Sequence, residues 1–398
     1  MGLLGETKPV KKPILGVSLY PEQESMEEIE NYLTMASRYG FTKIFTSMFS
    51  VPGTKKEVFD YFKIFCDLAH KHGMKVSGDC NTAFFKKMGA SESDISIFKE
   101  MGIDIIRMDL PYFDQRDVTL INNPYNITIE LSSCMIQAVR MALENGANPK
   151  NFSTCHNFYP ERYTASDLES IRSINKGLAT LGIPSAVFIS SNEDNTHGPW
   201  PVHDGLPTVE DHRWIPAELQ VRHWIAVGDV DEIIFGNAFA SEEEFKAIDR
   251  VMNQAYVNIP KLVGEDYLAE LLPHGDVERV PFKVILDDGV TDLEKEILFN
   301  YPSHSDLGDC MNYMLRSRWT RMIYKGKEIS CRPCDKAYYT RGDVVIVNDN
   351  LVHYRGEIQI VLKEMKVDGQ RNLLGHIDEN EIFILEHLKA KDVFTFVE

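Results

Sequence analysis

Short apolar, β-branched runs separated by helical patterns recur eight times in the first 240 residues, and this repetition constrains the fold more than any other feature of the chain. The runs are Ile14–Tyr20, Thr42–Met48, Lys75–Cys80, Asp104–Leu110, Asn126–Ser132, Phe152–Phe158, Ser185–Ser191 and Asp231–Asn237. Between the first two, Met26, Ile29, Leu33 and Ala36 recur at helical spacing, and Gly40 follows where a C-terminal cap belongs. The phrases YGFTKIF, HGMKV, MGIDIIRM and LGIPSAVF share one design: a helix stops at glycine and the next strand begins on an apolar residue. Such punctuation describes a βα repeat, not an antiparallel meander. Eight units in about 250 residues predict an α/β chain with a TIM (β/α)8 barrel. A doubly wound sheet would carry a glycine-rich phosphate loop after its first strand. Here that strand runs into Ser18-Leu19-Tyr20-Pro21.

From about Val277 the texture changes to short alternating runs: RVPFKVIL, RGDVVIVND, EIQIVLKEM, NEIFILEHL and KDVFTFVE. They predict a small, mostly antiparallel β domain, closed or nearly so, with a helix at Asp306–Arg318 over one end. Residues Asn258–Pro273 read as the connection. The expected domains are therefore 1–265 and 275–398, in keeping with a 398-residue chain at roughly 150 residues per domain.

Charge narrows the partners. The chain carries 42 basic and 60 acidic residues, a net −18, so its field repels a nucleic-acid backbone. An anionic substrate must be met by locally placed cations or backbone N–H groups. With 43% hydrophobic and 26% charged residues the composition is that of a soluble globular protein. No apolar run approaches the ~18 residues of a membrane span, and MGLLGETKPVKKP lacks the apolar core of a signal peptide. A cytoplasmic location is expected. Seven cysteines are not a disulfide framework. Cys331-Arg-Pro-Cys334 is a lone CxxC that reads as chance spacing.

Barrel chemistry sits at the C-terminal ends of the strands. That rule selects Tyr20, Ser47, Asp79, Asp109, Glu130, His156, Asn157 and Asn237, together with the long Asn192–Arg213 loop. Asp109 and Glu130 end adjacent strands ~4.8 Å apart, a spacing compatible with a glycosidase acid–base pair, with Asp79 in reserve. In CHNFYP, His156 and Asn157 offer hydrogen bonds to sugar hydroxyls, and Phe158 or Tyr159 a stacking face; a satisfied structural histidine is the plainer alternative. The long loop, dense in turn formers, has the character of a binding loop. It supplies Trp200 and the candidate ligand contacts His197, Glu210 and Arg213. His70-Lys71-His72 lies at the opposite end and reads as structural. Without an HxH or HExxH pattern at the C-terminal face, neither a metal nor a cofactor is expected.

The chain resembles the 6-phospho-N-acetylmuramidase family. The resemblance runs through GVSLYPEQ, KIFTSMF, RMDLPYF, LINNPYNITIELSSC, CHNFYPERYT, HGPWPVHDGLPTVEDHR and VDEIIFGN, then RSRWTR, RGDVVIVND and HYRGEIQI. It implies a TIM barrel followed by a cyclophilin-like β-barrel domain. It also implies a cytosolic exo-glycosidase that cleaves N-acetylmuramic acid 6-phosphate from N-acetylglucosamine during cell-wall recycling. The chain departs from the family pattern at His197, Ser132 and Asn237, where Arg, Asn and Asp are usual. The expected partner is a phosphorylated amino-sugar disaccharide, bound by Arg213, Arg355 or Arg341, with homodimerisation left open. A non-catalytic sugar-phosphate-binding protein of the same fold is the second hypothesis. Arg355, beside Gly356 and ahead of the strand EIQIVL, is expected to reach toward the barrel mouth.

Overall fold

The glycine punctuation behaves as the sequence implies. In the computed structural model, which describes residues 10–199, 204–261, 272–308 and 312–398, Gly40, Gly73, Gly102 and Gly182 all adopt positive φ, between 69° and 94°. The next residue then turns its N–H back onto the helix: Met74 to Ala69, Ile103 to Phe98 and Ile183 to Leu178. These are Schellman closures, which satisfy carbonyls the helix end leaves open. Helix starts are equally explicit. Ser25 with Glu28 and Thr54 with Glu57 form reciprocal capping boxes on helices Met26–Arg38 and Lys55–Lys71.

Eight parallel strands close into a barrel in chain order: β1 (Ile14–Leu19), β2 (Phe41–Ser47), β3 (Lys75–Cys80), β4 (Ile105–Met108), β5 (Thr128–Ser132), β6 (Phe152–Cys155), β7 (Ser185–Ile189) and β8 (Glu232–Phe235). The interior is not the usual apolar packing. Lys43 of β2 donates from Nζ to Glu130 Oε2 of β5 at 2.8 Å and to Glu232 Oε2 of β8 at 2.5 Å. Ser77 of β3 donates to the other Glu130 oxygen at 3.4 Å. Beside this charge cluster Phe45, Phe158 and Phe188 pack edge to face, with centroids 5.1–5.9 Å apart.

By its contacts the chain divides into residues 11–221 with 228–249, which hold the barrel, and residues 222–227 with 250–398. In the second unit β9 (Tyr256–Ile259) pairs antiparallel with β10 (Gly275–Glu278), so part of the expected connection is a strand; residues 262–271 lie outside the description. A mixed sheet follows. Its strands are β11 (Val280–Leu286), β12 (His304–Ser305), β13 (Met314–Ser317), β15 (Asp343–Val347), β16 (Ile358–Val361), β18 (Arg371–Ile377) and β19 (Val393–Val397), in the order β12-β19-β11-β18-β15-β16-β13. The pair β14 (Tyr338–Tyr339) and β17 (Met365–Lys366) stands apart. The two edge strands are joined by a side-chain bond, His304 Nδ1 to Ser317 Oγ at 2.9 Å, so the sheet is nearly closed. Such bridging removes exposed edges.

Two expectations for this unit fail, and one strand was unforeseen. NEIFILEHL is not a strand but a 3-10 segment, Glu379–Glu386. Ile384 and Leu385 are consecutive and both buried, which a half-exposed strand forbids, and buried Glu381 accepts from Lys283 N–H and Arg222. The helix at Asp306–Arg318 is absent where the chain is described. Asp306 accepts from the Gly308 and Arg316 N–H groups, folding the segment back, and Met314–Ser317 pairs with β16. Central strand β18 was not anticipated, because burial on both faces erases its alternation.

Removing Lys43 should expose how much the barrel depends on its charges. Deleting one partner of a buried pair typically costs about 3–5 kcal/mol, because it strands the opposite charge. Lys43→Met should therefore lower the free energy of chemical denaturation by that order, and adding Glu130→Gln should recover part of the loss. An unchanged midpoint in the single variant would show that the cluster contributes little.

Candidate active site at the C-terminal mouth of the barrel

Strand parity sets which side chains face the barrel axis. On β3 and β4, Asp79 and Arg107 stand in register. Arg107 donates from Nη1 to Asp79 Oδ1 at 2.9 Å and from Nη2 to Asn157 Oδ1 at 2.5 Å. Ser132, ending β5, also donates to Asn157, at 3.5 Å. Ser47 ends β2 beside Asp79. Burial pushes the Asp79 carboxyl above its ordinary range; Arg107 opposes that rise, while the charges of Asp109 and Glu130 add to it. Asp109, just beyond β4, is exposed, and its carboxylate makes no hydrogen bond or ion pair among the described residues. The mouth thus holds two carboxyl groups of contrasting surroundings, one buried against a guanidinium and one open to solvent.

Other candidates are committed elsewhere. Glu130 is fully buried on Lys43 and Ser77, so it holds the barrel together instead of facing a ligand. His156, just beyond β6, points outward; its Nε2 meets Asn175 Oδ1 at 2.7 Å on helix Leu168–Leu181. Tyr20 is buried and donates to the Gly236 carbonyl at 2.5 Å, tying the end of β1 to that of β8. Arg213 has no exposed side-chain surface. It grips Glu210 through Nε and Nη2, at 2.6 and 2.7 Å, and the carbonyls of Tyr159, Glu161, Asp204 and Gly205 through its remaining donors. The paired arginine, with the Tyr163 and Ala165 N–H groups, holds Glu210 down at about 2. Asn237 accepts from Ser191 N–H and donates to Ser191 O and Thr196 Oγ1, uses that need an amide and exclude a carboxylate. Tyr159 accepts a hydrogen bond from Ser166 at 3.1 Å. In the second unit Arg355 donates to Asp349 at 2.7 Å, which meets the charge expected to reach a ligand. Trp200 lies outside the described residues.

Residue-type reasoning missed three contributors: Arg107, Lys43 and Glu24. Arg107 was discoverable, since it shares inward parity with Asp109 two residues on. Glu24, in the loop after β1, meets His197 Nε2 at 2.6 Å, and burial raises its carboxyl while His197 opposes the rise. Gln23 of the same loop donates to the Gly198 carbonyl at 2.8 Å. His197 is therefore held by Glu24 and stands between the rings of Tyr20 and Phe239.

The opposite, N-terminal mouth carries a cavity of about 590 Å³, lined by Lys43, Lys75, Asp104 and Glu232 among others. It lies at the end of the barrel that ordinarily serves stability. His70 pairs there with Asp104 at 2.9 Å. Among the described residues no group of three His, Cys, Asp or Glu side chains is arranged to hold a metal ion, and no helix is long and apolar enough to cross a membrane. Cys331 and Cys334 are both free thiols.

Known proteins can now be set beside this geometry. Residues 15–250 match the N-terminal domain of 6-phospho-N-acetylmuramidase and residues 280–397 its C-terminal domain. The chain belongs to the 6-phospho-N-acetylmuramidase family. An uncharacterized B. cereus protein of known crystal structure is 34% identical, with a TM-score of 0.81, over 97% of this chain and all of that one. A conserved Enterococcus faecalis protein of unknown function is 22% identical, with a TM-score of 0.65, over 96% of both chains, and shares the fold. No curated protein matches. Family membership makes a glycosidase acting on 6-phospho-muramic sugars the class of activity.

Two buried histidines predict an acid limit on stability. Burial lowers His156 to about 4 and His304 to about 3, against 6.5 in an unfolded chain. The unfolded state therefore binds protons first, and stability is lost as pH falls from about 6.5 through 4. For His156 the full loss is on the order of 3 kcal/mol. Denaturation followed across this window should show a flatter profile for His156→Gln than for the unmodified protein; parallel profiles would exclude the histidine.

Proposed function

We propose that this chain is a cytoplasmic exo-glycosidase that hydrolyses N-acetylmuramic acid 6-phosphate–N-acetylglucosamine, a disaccharide arising when cell-wall fragments are reused. The pair formed by Asp79 and Asp109 supports this reading best, because hydrolysis of a glycosidic bond needs one protonated and one ionised carboxyl group. Asp79, whose carboxyl burial pushes above its ordinary range, takes the role of donor to the leaving oxygen. Asp109 is the carboxylate that meets the anomeric centre or the water attacking it. Arg107 and Asn157 position Asp79, and Ser132 and Ser47 offer hydroxyls to the sugar. Tyr159 contributes an aromatic face. Glu130 leaves the catalytic assignment. Since Arg213 is consumed within its own loop, recognition of the phosphate falls to other groups.

The purified protein should hydrolyse the 6-phosphorylated disaccharide and leave its unphosphorylated counterpart essentially untouched. Asp79→Asn and Asp109→Asn should each lower turnover by about 10²–10⁴, the usual contribution of a general acid or base, measured below the denaturation midpoint of each variant because Asp79→Asn also strips Arg107 of its charge partner. Binding without turnover in the unmodified protein would replace this reading with that of a sugar-phosphate-binding protein. Near-normal rates in either variant would remove that residue from the mechanism.

A further inference from the structure

We infer that the cavity at the N-terminal mouth of the barrel binds a small zwitterion of the amino-acid class, its ammonium group on Glu232 and its carboxylate on Lys75 or Lys150. The inference goes beyond hydrolysis at the C-terminal mouth and does not depend on it. The cavity measures about 590 Å³, within the range of sites that take small molecules, and every residue lining it belongs to the barrel unit.

The inner wall carries an unfinished ion cluster. Among the described residues a single ammonium group, that of Lys43, is the ion-pair partner of two carboxylates, Glu130 and Glu232. Glu130 lies fully buried behind the wall and takes a further hydrogen bond from Ser77. Glu232 lines the cavity itself, with 12% of its side chain exposed. Its Oε2 accepts from Lys43, and its other oxygen accepts no hydrogen bond among the described residues. One negative charge is thus left without a contact partner at the inner end, where burial makes an uncompensated charge expensive. A ligand ammonium group there supplies both the missing charge and a donor for the free oxygen.

The outer edge has the opposite sign. Lys75 opens β3 in register with Lys43, on the same face of its strand as Ser77, and Lys150 stands just ahead of β6. Both line the cavity and are exposed, and neither ammonium group has an ion-pair partner among the described residues. Asp104, the other acid of the lining, already meets His70 Nε2 and the Val76 N–H, each at 2.9 Å. The cavity therefore separates charge, negative inside and positive outside, while Ile105 and Phe152 add apolar wall. Walls of low dielectric in a concave site strengthen such a field. A simple cation is repelled by the lysines and a simple anion by Glu232. A molecule carrying both charges satisfies both ends.

Calorimetric titration of the full-length protein with ω-amino acids, from glycine through γ-aminobutyrate to ε-aminocaproate, tests the site, with butylamine and butyrate as single-charge probes. Saturable binding of at least one zwitterion is expected, with both single-charge probes at least about tenfold weaker, the scale of one hydrogen bond to a charged group. The chain length bound best measures the separation of the two ends. Glu232→Gln, and separately Lys75→Ala combined with Lys150→Ala, should each weaken that binding at least about tenfold. Because Glu232→Gln alters a buried cluster, a further readout uses the unmodified protein: the Glu232 carboxyl carbon resonance should move as the zwitterion binds. Failure of every zwitterion to bind, equal affinity for a single-charge probe, equal affinity in either variant, or an unmoved Glu232 resonance would each overturn the inference. None of these outcomes bears on hydrolysis of the disaccharide, which is measured separately.

Discussion

The ion cluster around Lys43 is the constraint on which the barrel rests. One ammonium group joins β2 to β5 and β8, and Arg107 on β4 reaches both β3 and Asn157, two residues beyond β6. Removing such charges from water costs several kcal/mol for each ion, recovered only when every partner is in place. The net contribution to stability is therefore small compared with the penalty for error. A strand displaced by one residue would turn its charge outward and abandon the partner inside. Register around most of the barrel is consequently fixed by electrostatics as well as by packing. The same constraint decides what is free at the mouth: Glu130 is drawn into the cluster, Asp79 is held by Arg107, and Asp109 stays exposed.

The barrel was legible because its signals are local. Each of the eight runs overlaps an observed strand, and the glycines that close four of the helices, Gly40, Gly73, Gly102 and Gly182, are readable from the neighbouring residues alone. The C-terminal sheet was legible in part: RGDVVIVND and EIQIVLKEM contain observed strands although these are buried on both faces. RVPFKVIL and KDVFTFVE alternate, and both are strands. RNLLGHI, buried on both faces, carries no period of two. NEIFILEHL looks apolar enough for a strand, but its inward-facing Glu381 owes its place to partners distant in sequence, Arg222 and Lys283.

The site was legible in position and poorly legible in direction. Listing strand ends locates the mouth, yet His156 and Asn157 are neighbours with opposite fates, one facing helix Leu168–Leu181 and the other Arg107. Parity along β6 separates them. It does not separate Glu130 from Asp109, both of which belong to strand ends. Their difference lies in depth and in the presence of Lys43 across the barrel, a pairing 87 residues apart that no local pattern announces.

The strand-seven loop shows why residue types suited to binding anions need not bind them. A loop of this length gains affinity for a ligand only if its conformation is set before the ligand arrives. Here the setting is done by side chains bonded to backbone: Arg213 to four carbonyls, Asn237 to both polar groups of Ser191, and Gln220 to the Ser190 N–H and carbonyl. Arg213 gains a further constraint from Glu210, whose carboxylate in turn holds the N–H groups of Tyr163 and Ala165. His197 is pinned from the other side by Glu24. Had Arg213 been free to meet a phosphate, those carbonyls would have lost their donors and the loop its shape. Cationic recognition in this acidic chain must come from groups whose donors the fold leaves open, and that criterion leads away from Arg213 and Arg355.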